Sequence, residues 1–181
     1  MKSKSIPAVV IAAVSLSVLA GLAVAAQDRL TLKAPNGVAF SEFKGYEDWQ
    51  DVAVSQTEKG IKAILANPVM MNAYKAGIPG NGKPFPDGSM VVKIEWTKKP
   101  GPASPYFVEV PDVLKSVSFI EKDSKRFPDT SGWGYAQFLY DVSSDSLKPF
   151  GNDASFGKKV CYQCHTLVTA RDFIFTDYAK R

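Results

Sequence analysis

The sequence predicts an α+β domain, a mostly antiparallel β-sheet with few short helices and a chemically distinct C-terminal segment. Three observations lead there. Stretches rich in β-branched and aromatic residues, MVVKIEWT (90–97), YFVEV (106–110), SVSFIEK (116–122) and WGYAQFLYDV (133–142), follow one another between turn residues. One stretch, NPVMMNAYKAG, carries a full set of helix signals. Both cysteines and the single histidine of the chain fall within five consecutive residues of VCYQCHT, as Cys161, Cys164 and His165.

In order along the chain, the first 26 residues place Lys2 and Lys4 ahead of an unbroken apolar run that ends in Ala23-Val24-Ala25-Ala26. This pattern predicts a secretory signal peptide over 1–26 and export to the periplasm, with an uncleaved anchor as the lesser alternative. Removing 26 of 181 residues leaves 155, one domain (27–181) large enough to enclose a cofactor. Lys2 and Lys4 leave with the signal, so the formal charge falls from +4 to +2. No basic footprint for nucleic acid remains.

Within the domain, YEDWQDVAVSQTE (46–58) reads as a short helix and KGIKAILA (59–66) as a strand. Asn67 then offers an N-cap, Pro68 suits the first helical position, and Gly77 stands where a helix stops. The glycines and prolines of IPGNGKPFPDGS (78–89) make a loop. In the strand that follows, alternation puts Met90, Val92, Ile94 and Trp96 on one face and Val91, Lys93 and Glu95 on the other. KKPGPASP (98–105) turns the chain, three further strands follow, and 143–159 is polar and turn-rich.

Cysteines three apart with a histidine directly after the second match the needs of covalent haem attachment. Two thiols form thioethers to the porphyrin vinyl groups, and one imidazole coordinates iron. On a helix, positions i, i+3 and i+4 share a face, so Cys161, Cys164 and His165 can address one ligand. An export signal agrees, because c-type haem is attached outside the bacterial cytoplasm. Competing uses are a zinc site, which wants four Cys or His ligands where the chain has three, a thioredoxin-like redox pair, which lacks its preceding βαβ pattern, and a short-span disulfide, which would constrain little. The C-terminus is therefore a haem-binding segment, with His165 as the metal ligand. With no second histidine, the sixth position belongs to Met70, Met71 or Met90, or stays open; the three methionines also read as core residues.

The combination DGSMVVKIEW, KDSKRFPDTSGWGYAQF, CYQCH and DFIFTDY, in that order from Tyr46 to Tyr178, resembles the cytochrome P460 family, including the relatives called cytochrome c′-beta. The resemblance implies one haem c held by Cys161 and Cys164 with His165 proximal, and a homodimer. It also singles out Lys93, six residues after Asp87, as the lysine whose nitrogen bonds a haem meso carbon in cytochrome P460. Such a bond needs the free amine, which a haem-covered face favours; the alternative is a solvent-facing lysine beside Glu95.

The activity implied is oxidation of hydroxylamine or a related small nitrogen species, with electrons passed to an external acceptor such as another cytochrome. A distal base would take protons, and Glu95 or Asp153 is the candidate, whereas Ala154 or Phe156 in that place would leave the iron catalytically poor. Arg126 would pair with a haem propionate or lie in solvent. Trp133, Tyr135 and Phe138 pack the sheet or the porphyrin. Alternatives are a c′-beta-like protein that binds nitric oxide or carbon monoxide without turnover, and a His/Met electron carrier.

Overall fold

The structure, a computed structural model, describes residues 28–181. The expected signal peptide over 1–26 and its boundary at Gln27 lie outside the described residues. Six strands form one open antiparallel meander, β1 (Gln50–Thr57), β2 (Gly60–Ala66), β3 (Met90–Pro100), β4 (Glu109–Lys122), β5 (Trp133–Asp141) and β6 (Ser146–Pro149), each paired to the next. One two-turn helix, α1 (Pro68–Lys75), connects β2 to β3. Near the C-terminus the chain is π-helical over Gly157–Tyr162 and continues as a short α-helix, α2 (Gln163–His165).

The helix signals around Asn67 are realised in atoms. Asn67 Oδ1 accepts from the Met70 N–H at 3.0 Å and from the Met90 N–H at 3.1 Å, while its Nδ2 donates to the Gly88 carbonyl at 2.8 Å. A single side chain thus caps α1 and ties it to the start of β3.

Three expectations are corrected. Residues 46–58 are not a helix: a 3-10 turn at Tyr46–Asp48 leads directly into β1. Val52 and Val54 favour a strand, the hairpin at Thr57–Gly60 brings β2 alongside, and cross-strand pairing outweighs local helical preference. The stretches 106–110 and 116–122 are not two strands. Glu109–Lys122 is one, with Pro111 tolerated near its end opposite Lys98, beyond two irregularities in register. Finally, the turn-rich 143–159 contains the short strand β6 and the start of the C-terminal helix.

Both faces of the sheet are covered. On one, Val92, Val117, Phe119 and Phe138 pack under the N-terminal segment, with Phe43 stacked on Phe119 at 4.2 Å and Phe40 edge-on to Phe119 and Phe138. On the other, Ile64, Val91, Trp133 and Tyr135 meet α1 and the C-terminal tail through Met70, Met71, Tyr74 and Ile174. Gly157 allows the C-terminal helix to begin against β5, since a Cβ there would lie 3.1 Å from the Tyr135 carbonyl oxygen.

Beside the first core, Arg126 Nη1 lies 3.1 Å from Glu42 and 3.0 Å from Glu121, the latter contact too poorly aligned for a hydrogen bond. Burial, reinforced by the neighbouring Glu42 and only partly opposed by Arg126, raises the Glu121 pKa from 4.5 to about 7. A raised folded-state pKa means that this carboxyl's contribution is fully present below pH 4.5 and is lost as pH rises through 7.

Two outcomes follow for urea unfolding. The Glu121→Gln variant should lose less stability than wild type between pH 5 and 8, by on the order of 1–3 kcal/mol. Asn67→Ala should lower the unfolding free energy at every pH, by about 2 kcal/mol, because one cap and two connecting bonds go together.

Candidate functional site

Alternation along β3 sends Val92 into the first core and Lys93 to the opposite face. There the register sets Lys93 between Ile64 of β2 and Ser118 of β4, with Gln137 of β5 beyond. A cavity of about 500 Å³ opens over this row, within the range that encloses a cofactor. Its far wall is the C-terminal segment, which contributes Cys161, His165 and Phe175. Lys93 makes no hydrogen bond or ion pair among the described residues, and the Ser118 hydroxyl is buried without a partner.

His165 is the most constrained of these groups. Its ring lies 4.9 Å from that of Tyr135 on one side and 4.9 Å from that of Phe175 on another. Nδ1 is 2.6 Å from the main-chain carbonyl oxygen of Phe173. A carbonyl can only accept, so Nδ1 carries the proton and Nε2 keeps the lone pair. Burial lowers the His165 pKa despite that hydrogen bond, and the nearby Lys93 charge lowers it further.

The two thiols differ. Cys161 is half-buried in the cavity wall, and burial raises its pKa against the pull of Lys93; Cys164 is exposed. Both are free, without a disulfide between them. Among the described residues no group of three or more His, Cys, Asp or Glu side chains is gathered to hold a metal, so nothing resembles a zinc cage.

Thus Lys93, Cys161 and His165 share one cavity, with Cys164 one helical turn beyond at its outer side. The other residues singled out from the sequence lie elsewhere. Glu95 does not line the cavity: burial raises its pKa, but the hydrogen bond from Lys115 at 2.6 Å and the charges of Lys62, Lys115 and Lys93 prevail and hold it below the ordinary value. Arg126 lines a second cavity, together with Ala154. Asp153 is exposed, with its carboxylate held by Ser155. Phe156 packs on Phe150, and Phe138 belongs to the opposite core. Met70 and Met71 are buried in the second core and Met90 packs against the first; none of the three lines the cavity.

Three neighbours escaped sequence reading. Ser118 and Lys62 enter through strand register, which single-strand patterns do not reveal. Phe173 acts through its carbonyl, for which no side-chain signature exists.

A sheet wall facing a helix with paired thiols and a lone-pair imidazole defines a cofactor-binding protein of the cytochrome class. A family model, Cytochrome P460, matches residues 43–176, from before β1 to the tail that closes the cavity. The chain belongs to the cytochrome P460 family, and it is a haem protein of this kind. No curated protein matches it. The residues present suit haem: the imidazole offers Nε2, the cavity is largely apolar, and its wall carries a thiol.

The difference between the thiols has a direct readout. In chain produced without haem attachment, iodoacetamide at pH 8 should modify Cys164 well before Cys161, as peptide mass spectrometry would resolve.

Proposed function

We propose that this is a periplasmic c-type monohaem protein that oxidises hydroxylamine, or a related small nitrogen species, at an iron whose sixth position is open. The observation that carries the reading is the Nδ1–H of His165 donated to Phe173 O in a cavity shared with Cys161 and Lys93. Cys161 and Cys164 would hold haem by adding their S–H groups across its two vinyl groups, and His165 would offer Nε2 to the iron. Haem, when bound, supplies a redox-active Lewis acid that accepts a lone pair from the substrate nitrogen.

The chain's own residues do the rest. Tyr135 and Phe175 hold the imidazole plane. Removal of the three methionines into packed cores supports an open sixth position over a His/Met carrier. Lys93, half-buried at the cavity and without a hydrogen bond among the described residues, is the amine that would bond a meso carbon of the haem. Electrons from turnover leave to an external acceptor such as another cytochrome, and the protein works as a homodimer.

One observation favours the second reading, a c′-beta-like protein that binds nitric oxide or carbon monoxide without turnover. Turnover needs a proton acceptor near the substrate, yet Glu95 is tied to Lys115, and Asp177, the carboxylate that does line the cavity, is paired with Arg171.

Tryptic mass spectrometry of periplasmically matured protein separates the cases. Haem on the 161–165 peptide joined also to the Lys93 peptide, with hydroxylamine-dependent reduction of an acceptor dye, is the expected result. Haem on the 161–165 peptide alone, with tight nitric oxide binding and no dye reduction, would move the assignment to the second reading. Cys161→Ala with Cys164→Ala should abolish covalent pigment altogether.

A further inference from the structure

An axial imidazole is only as steady as the group holding its other nitrogen. Here that group is the carbonyl of Phe173, and the backbone presenting it is unusual. Asp172 has φ 47° and Phe173 φ 63°, two successive left-handed residues of which neither is glycine. Aspartate tolerates this region; phenylalanine does so only where its surroundings impose it.

The Asp172 side chain supplies the imposition. Its Oδ2 accepts from the Phe85 N–H at 2.8 Å, and Lys122 Nζ donates to Oδ1 at 2.9 Å and to Oδ2 at 3.0 Å. Lys122 is itself fixed, because it is 6% exposed, donates to the Ser131 carbonyl at 3.0 Å and lies 4.7 Å over the Trp133 ring. Strand β4 and the loop before β3 thereby grip the residue next to the one that holds His165. Neither Lys122 nor Asp172 lines the cavity.

We propose that Lys122 and Asp172 are positioning residues for His165: their buried ion pair locks the 171–173 turn, and so the Phe173 carbonyl, against Nδ1–H. This rests on His165 being the axial ligand of the proposed function and adds what sets the strength of that ligand. A firm Nδ1–H bond makes the imidazole a stronger donor, which strengthens the iron–nitrogen bond and favours the oxidised iron.

The test uses the full, haem-loaded protein. Resonance Raman spectroscopy of the reduced form reads the iron–histidine stretching band, redox titration reads the midpoint potential, and proton NMR follows exchange of the Nδ1 proton. His165 is the only histidine, so that proton needs no assignment among others. Asp172→Ala should shift the band to lower frequency, raise the potential and speed the exchange about tenfold, the scale of one lost hydrogen bond. Asp172→Asn keeps the side chain's size and an acceptor for Phe85 but weakens the hold of Lys122, and should move all three in the same direction by less.

Val117→Ala, which opens a hole in the opposite core, should lower stability and move none of them. A folded Asp172→Ala with wild-type band and potential overturns the proposal. If that variant does not fold, Asp172→Asn decides, its unmoved band and potential overturning the proposal and displaced ones supporting it. A wild-type protein that lacks an iron–histidine band overturns both the axial role and the inference; a wild-type band with unmoved variants overturns the inference alone.

Discussion

The site depends on the register of the antiparallel ladder from β2 to β5. It places Ile64, Lys93, Ser118 and Gln137 abreast on one face, while their neighbours Val92 and Phe119 go to the other. A slip of one residue would turn Lys93 into an aromatic core and Val92 into the cavity. The stack of Phe43 on Phe119, and the edge contacts of Phe40, sit on the face away from the cavity, yet they make such a slip costly. Packing on one side of the sheet fixes the chemistry on the other.

The second wall is less firmly made. Tail residues reach the sheet through a small number of polar contacts: Tyr74 Oη donates to Thr176 O, Gln50 meets Tyr178, and Arg181 meets Asp51. The exposed Arg181–Asp51 pair contributes about 0–1 kcal/mol, and the two neutral hydrogen bonds about 0.5–1.5 kcal/mol each. The buried Lys122–Asp172 pair is of another order, since removing one partner of such a pair costs about 3–5 kcal/mol. The wall that carries the thiols and the imidazole is therefore held by this buried ion pair at Asp172, next to the turn that meets His165, together with the packing of Ile174, Tyr162 and Phe173 on the core.

Local signals were legible in the sequence where they sufficed by themselves. Asn67, Pro68 and Gly77 delimited α1, and strict alternation placed Lys93 on the face opposite Val92. Cys-x-x-Cys-His and the flanking motifs pointed to a haem family that the match over residues 43–176 bears out. Signals that depend on a distant partner were not legible. Residues 46–58 looked helical because the pairing that makes Val52 and Val54 a strand lies across a hairpin. The grip of Lys122 on Asp172 joins residues fifty positions apart, and the Phe173 carbonyl has no residue-type signature. Arg126 illustrates the converse: its motif was visible, but Glu42 and Glu121 engage its guanidinium away from the first cavity.

The cavity-side face of the sheet carries Lys62, which donates to the Thr57 hydroxyl, and the lysines Lys93 and Lys122, whose surroundings separate their roles. Lys122 has a carboxylate, a carbonyl and an indole ring within reach, so its charge is compensated and its position fixed. Lys93 has none of these, and its strand neighbours across the ladder are an isoleucine and a serine. A cation beside an apolar wall is less well solvated than one in water, and a direct hydrogen-bond partner offsets part of that cost. Glu95, two residues further along β3, acts on Lys93 only through space, because its own hydrogen bond is made with Lys115. The sheet therefore uses Lys122 to build the wall and leaves the Lys93 amine at the cavity without a hydrogen bond or ion pair among the described residues.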